Sequence, residues 1–190
     1  MTLSEKRTNA DTHRPQLCRH DLATSIGPRA RGDPVPLTAD QRYMFRSLIH
    51  SNPEQRPLSV RMCASATRIS GPLNFGLLER CIAGLLQRHE ALRTTFRTCE
   101  GLTTQYIDPP GEYRLICVDL SFLSRNEAER ESKRLSRLFQ DQKIDLSIGP
   151  VFEARLFKLA VQEHVLIVLA DHMISDEMSN AVLDKEIWQA

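Results

Sequence analysis

The sequence predicts an α/β sandwich in which helices pack on a mixed sheet. Three observations carry that prediction. The stretch "HVLIVLA" is apolar on both faces, as a buried central strand requires. Residues 77–86 place apolar side chains on one helical face. Helical and strand periodicities also interleave along the chain, the order of a sheet covered by helices.

The elements follow in order. Residues 1–35 are polar, mixed in charge and end in "GPRARGDPVP", which predicts a disordered segment or linker. The folded part, residues 36–190, opens with "PLTADQRYMFRSLIH", where Thr38 and Gln41 form a capping box for a helix. "SVRMCASATRIS" alternates Val60, Met62, Ala64 and Ala66 against more polar neighbours and predicts a strand. "GPLN" breaks it, and a helix follows with Leu77, Leu78, Cys81, Ile82, Leu85 and Leu86 on its apolar face. "LRTTFRTC" and "LTTQYI" read as a hairpin turning at "EG", and "YRLICVDL" as a further strand. "RNEAERESKRLSRLFQDQ" predicts a charged helix with a narrow stripe that includes Leu135, Leu138 and Phe139. "VFEARLFKLA" and "HVLIVLADH" form a strand pair about "VQE". The last segment, "DEMSNAVLDKEIWQA", is helical and meets no stop signal, which suggests a piece of a longer chain.

Composition excludes several function classes. The 190 residues carry 25 Lys+Arg against 24 Asp+Glu, a net charge of +1, so there is no electrostatic footprint for nucleic acid or an anionic membrane. No apolar run approaches a membrane span and no secretory signal is visible. The five cysteines lack CxxC or metal-ligand spacing. Cys63, Cys81 and Cys117 fall in periodic apolar segments and read as small buried hydrophobes. An odd cysteine count with no signal peptide fits a cytoplasmic protein. The histidines make no metal constellation and no Gly-rich phosphate loop is present, so no metal or bound cofactor is expected.

The chemistry concentrates where the apolar strand stops. His172 leaves the core at a strand end, where α/β proteins place functional side chains. A neutral imidazole there can accept a proton or hydrogen bond from a nucleophile. Asp176 opens the next helix and can cap it. Taken singly, the ordinary readings are a structural histidine and a capping aspartate.

A second segment shifts the balance. "RHEALRTTF", residues 88–96, together with "ADHMISDEMS" resembles two motifs of the condensation domains of nonribosomal peptide synthetases, RHExLRTxF and HHxxxDG. Arg88, His89, Glu90, Leu92, Arg93, Thr94 and Phe96 match the first, and His172 and Asp176 match the second His and the Asp of the second. "PLTADQ" and "IDLSIGPVFEARLF" are weaker echoes, with Gln41 at the family glutamine. The resemblance implies a chloramphenicol-acetyltransferase-like fold, of which this chain is the N-terminal lobe, cut within its last helix. It implies an acyltransferase that forms an amide bond between carrier-protein-bound acyl and aminoacyl thioesters, inactive without its C-terminal half. By the same likeness His172 is catalytic, orienting the attacking amine or taking its proton. Asp176, Asp171, Arg93 and Arg88 are supporting, with Asp176 paired to Arg93 or Arg88, and Glu177 and Ser179 face the substrate. The implied partners are upstream and downstream carrier proteins, bearing phosphopantetheine, and the missing C-terminal lobe.

Two departures leave alternatives open. Asp171 stands where the family has its first histidine, and Glu177 where it has glycine. Asp171, Asp176 and Ser179 also satisfy DxxxxDxxS, the signature of heterocyclization domains. His172 and the full RHExLRTxF favour condensation. A catalytically inactive lobe that only binds carrier proteins is the non-enzymatic alternative.

Overall fold

A computed structural model describes residues 34–50, 62–142 and 144–189, the side chains of 47–50 excepted. Val60 and all but Pro34 and Val35 of the expected linker lie outside the described residues. In chain order the elements are β1 (Val35–Pro36), α1 (Ala39–His50), β2 (Met62–Ser70) and α2 (Phe75–Arg88). A 3-10 turn over Glu90–Arg93 leads into β3 (Thr94–Cys99), β4 (Leu102–Ile107) and β5 (Ile116–Asp119). Then come α3 (Arg125–Gln140), β6 (Phe152–Ala160), β7 (Glu163–Asp171) and α4 (Glu177–Gln189). The expected order holds, with the two-residue β1 added; so short a strand carries no periodicity.

Local chemistry explains the boundaries. Thr38 N–H donates to Gln41 Oε1 at 2.9 Å and Gln41 N–H to Thr38 Oγ1 at 3.2 Å, closing the expected capping box. Asn74 caps α2 by accepting from Leu77 N–H at 3.0 Å. Ser124 N–H donates to Glu127 Oε2 at 3.1 Å at the start of α3. The hairpin turns through Glu100 and Gly101, with φ of 50° and 77°, the left-handed pair that a two-residue turn requires.

The strands form two sheets, one of four in the order β2-β7-β6-β5 and one of three in the order β1-β4-β3. The larger sheet is mixed: β5 and β6 run parallel, while β6 with β7 and β7 with β2 run antiparallel. A parallel pair needs a crossover, and α3 is that crossover. Alternation along β6 and β7 divides the core. Phe152, Ala154, Leu156, Leu166, Val168 and Ala170 pack with Leu78, Ile82 and Leu85 of α2 and with Leu183 and Ile187 of α4. Phe157, Leu159, Ile167 and Leu169 pack with Ala128 and Phe139 of α3. Each such side chain contributes about 1.5–3 kcal/mol on full burial, and β7 carries them on both faces.

Several expected core positions are corrected. In β2, Ala64 and Ala66 are exposed, and the more covered face bears Cys63, Ser65, Thr67 and Ile69. That strand ends the sheet order, and on the face of Ala64 and Ala66 α3 meets it at Arg68, which pairs with Glu129. Leu77 is 45% exposed because Leu78, Ile82 and Leu85 define the buried line of α2, one residue round the helix. Leu138 is 53% exposed for the same reason, beside the line Ala128, Ser132, Leu135 and Phe139. Cys81 is half-buried and Cys117 exposed, so of the three cysteines only Cys63 is buried. Cys117 lies in β5, the outermost strand of its sheet.

Candidate active site

Strand β7 runs between β2 and β6 and delivers His172 as the first residue beyond its end. His172 is exposed, whereas Asp171, Met173 and Ser175 are buried. Neighbouring strand residues point to opposite faces. Asp171 pairs in register with Met62, which belongs to the α3-side core. Its Oδ1 accepts the Met173 N–H at 2.9 Å. His172 falls on the other face, toward Cys63, which pairs in register with Ala170.

The loop is held on all sides of the imidazole. Ile174 N–H donates to Asp171 O at 2.9 Å. Met173 packs with Leu37 and Phe96, and its carbonyl accepts from Gln41 Nε2 at 3.0 Å. That same amide donates to Gln105 Oε1 at 3.0 Å, so α1 and the smaller sheet both brace the loop. Ser175 Oγ donates to Asn180 Oδ1 at 3.1 Å. Asp176 Oδ1 accepts from Ser179 N–H at 2.7 Å and Ser179 Oγ at 2.6 Å, capping α4. These two bonds hold the Asp176 carboxyl below the usual carboxylate range. Cys63 Sγ lies 3.1 Å from His172 Nδ1 and 3.4 Å from Nε2.

The segment "RHEALRTTF" forms a bracket in a different part of the structure. Arg88 Nη1 donates to Glu186 Oε2 of α4 at 2.5 Å, and His89 Nε2 lies 3.1 Å from both oxygens of that carboxylate. Arg93 donates from Nε to Leu86 O at 3.2 Å, from Nη1 to Asp108 O, and from Nη2 to Glu90 Oε1 at 3.3 Å. The expected Asp176–Arg pair is therefore corrected. Both arginines are committed to partners on α2, α4 and the end of β4, while the exposed Asp176 serves its own helix. Ser179 likewise gives its hydroxyl to that cap, and Glu177 is exposed in the first turn of α4. Arg93 also lines a cleft of about 510 Å³ with Thr95, Asp108, Tyr113 and Phe152, apart from His172.

Among the described residues no group of three or more His, Cys, Asp or Glu could hold a metal ion, and no helix is long and apolar enough to cross a membrane. The family described as "Condensation domain" matches residues 33–190.

The chain belongs to the condensation-domain family.

It is 32% identical over 170 residues to one of the linear gramicidin synthase proteins of Brevibacillus parabrevis, covering 88% of this chain and 2% of that protein. It is 37% identical over 170 residues to another protein of the same synthase, covering 89% and 3%. Surfactin synthase subunit 1 of Bacillus subtilis (strain 168) is 33% identical over 165 residues, covering 87% and 4%. The chain thus spans a small fraction of these relatives. Among solved structures, the first condensation domain of the calcium-dependent antibiotic synthetase, in complex with a substrate analogue, superposes with a TM-score of 0.71 at 22% identity. That match covers 82% of this chain and 36% of the other, and it establishes the chloramphenicol-acetyltransferase-like fold. A chain from the complex of the X-domain and OxyB from teicoplanin biosynthesis gives a TM-score of 0.67 at 28% identity, covering 86% and 34%.

Within this condensation-domain chain, the residues that pattern reading missed are Gln41 as a brace of the loop and Cys63 as a neighbour of His172. Both contacts join residues more than 100 positions apart. Only the pairing of β2 with β7, and of the opening helix with the loop, brings them together.

Proposed function

We propose that the chain is the N-terminal lobe, residues 36–190, of a condensation domain that joins a carrier-bound acyl thioester to a carrier-bound aminoacyl thioester. The observation that carries the reading is the exposed imidazole of His172, presented on a loop whose flanking residues are all fixed. The amine nitrogen of the acceptor attacks the thioester carbonyl carbon, and His172 orients that amine and accepts its proton as the tetrahedral intermediate forms. The C–S bond then breaks, and the proton goes to the departing thiol. Positioning of both tethered substrates against one base supplies much of the rate. The thioesters are borne on phosphopantetheine arms of upstream and downstream carrier proteins, and the C-terminal lobe supplies the facing wall. On this reading the lobe alone is inactive, and the enzyme works in the cytoplasm.

Heterocyclization through Asp171 and Asp176 is the weaker reading. Asp171 is only 1% exposed and bonded to its own loop, while Asp176 is exposed and caps α4. The decisive experiment compares the two-lobed domain with its His172→Ala variant, using loaded carrier proteins. The variant is expected to make no amide product while unfolding at the wild-type temperature. Undiminished product would overturn the assignment. Product mass separates the two reactions, because cyclization loses one further water.

A further inference from the structure

We propose that Gln41 is a positioning residue for His172, its side-chain amide fixing the Met173–Ile174 peptide and with it the backbone that carries the imidazole. This rests on the reading of His172 as the proton acceptor.

The amide of Gln41 is committed at every hydrogen. Oε1 accepts from Thr38 N–H at 2.9 Å, while Nε2 donates to Gln105 Oε1 and to Met173 O, each at 3.0 Å. A primary amide has two N–H donors, and these two acceptors use both. Thr38 N–H can only donate and Met173 O can only accept, which settles the orientation of the group. Turning it over would lose both bonds. Gln105 is fixed in turn. Its Nε2 donates to Pro36 O at 3.0 Å, and its backbone pairs in register with Val35 and Phe96.

The bonds around Met173 show what the amide adds. Met173 N–H holds the His172–Met173 peptide by donating to Asp171 Oδ1 at 2.9 Å. The Met173–Ile174 peptide is held at both of its polar atoms, by Ile174 N–H on Asp171 O at 2.9 Å and by Gln41 Nε2 on Met173 O. Both Asp171 bonds lie within the loop, whereas Gln41 reaches it from α1, 132 positions away in sequence. Packing of the Met173 side chain with Leu37 and Phe96 joins the same parts of the fold, but a hydrophobic contact has no direction. The amide supplies the direction. A base contributes roughly 10²–10⁴ when it meets its proton at hydrogen-bond distance. A misplacement of about 1 Å can cost about 10²-fold, so the brace acts on kcat.

The test uses the two-lobed domain and separates the brace from the helix cap. Gln41→Glu keeps an oxygen for Thr38 N–H, as a capping box allows, but its carboxylate has no hydrogen for Met173 O. Gln41→Met removes every side-chain bond without adding charge. In carrier-to-carrier turnover each is expected to lower kcat at least about ten-fold, with KM for the acceptor carrier unchanged. Thr38→Ala does the reverse, removing the acceptor of the Gln41 backbone N–H while leaving the amide on Met173 O and Gln105. It should melt lower than the wild type and keep the wild-type kcat. In the wild type, both Nε2 hydrogens of Gln41 should exchange with solvent more slowly than those of a free glutamine amide, a measurement that needs no variant. Thermal midpoints identify any variant that fails to fold. Wild-type kcat in both Gln41 variants, an equal loss of kcat in Thr38→Ala, or a freely exchanging Nε2 hydrogen overturns the proposal. Full activity in His172→Ala would instead overturn the function reading, while exchange of the Gln41 amide would still report on the loop contact alone.

Discussion

His89 and Glu186 meet across the junction of α2 and α4, with Nε2 at 3.1 Å from each carboxylate oxygen. Arg88 reaches the same carboxylate at 2.5 Å, so two consecutive residues of one family motif hold the helix that begins just after the His172 loop. The motif acts at the far end of α4 from the imidazole. Its contribution to the site is the docking of that helix.

Replacing Glu186 by Gln should therefore loosen α4 selectively. Amide hydrogen exchange is expected to speed up in α4 and stay unchanged in α3, which has its own core. The pH dependence has a definite sign. The His89 contact, first among several, holds the Glu186 carboxyl below the usual range. A depressed acid stabilises the fold above its unfolded pKa and loses that contribution as pH falls through the folded value. The wild type should lose α4 protection on acidification below the ordinary carboxylate range, and Glu186→Gln should lack that component. Equal acid sensitivity in both proteins would refute the docking role.

The buried line of α2 makes a paired prediction. Ile82 is 0% exposed, and Ile82→Ala should cost about 2–5 kcal/mol in urea unfolding. Leu77 is 45% exposed, and Leu77→Ala should stay within about 0.5 kcal/mol of the wild type. Similar losses at the two positions would mean that α2 presents a different face to the sheet.

Asp176 distinguishes a cap from an ion pair. Asp176→Ser and Asp176→Asn retain a side-chain acceptor for the first turn of α4, so their melting temperatures should stay near that of the wild type, while Asp176→Ala should melt lower. An arginine partner would predict that Asn and Ala behave alike, because both remove the charge.

Tyr113 gives a spectroscopic check on the sheet. Its hydroxyl donates to Ala154 O at 3.4 Å, and burial pushes the phenol up to about 12. An acid whose folded pKa is raised contributes stability below its unfolded pKa, near 10, and loses it as pH rises toward the folded value. Alkaline titration followed by phenolate absorbance should show a late step that is absent from Tyr113→Phe.

How legible this fold is depends on the range of each interaction. The capping box at Thr38, the Glu100–Gly101 turn and the apolar run of β7 act within a few residues, and pattern reading finds them. Coverage is not local. Ala64 and Ala66 alternate correctly for a strand, but they are exposed on a strand that ends the sheet order, and nothing local records that position. The split into two sheets also escapes periodicity, since β3 and β4 look the same whichever sheet they join. The site shows the same division. His172 and Asp176 stand out only through their likeness to a family motif, whereas the partners of Arg88 and Arg93 are fixed by helix packing and differ from those the likeness implied.

Because Asp171 fastens the loop by accepting from the Met173 N–H and Asp176 fastens its far end by capping α4, the loop's shape owes little to what stands at position 172. That decoupling makes the position a socket. Other reactive side chains could be installed there, and screened for new acyl chemistry, without asking the surrounding protein to refold.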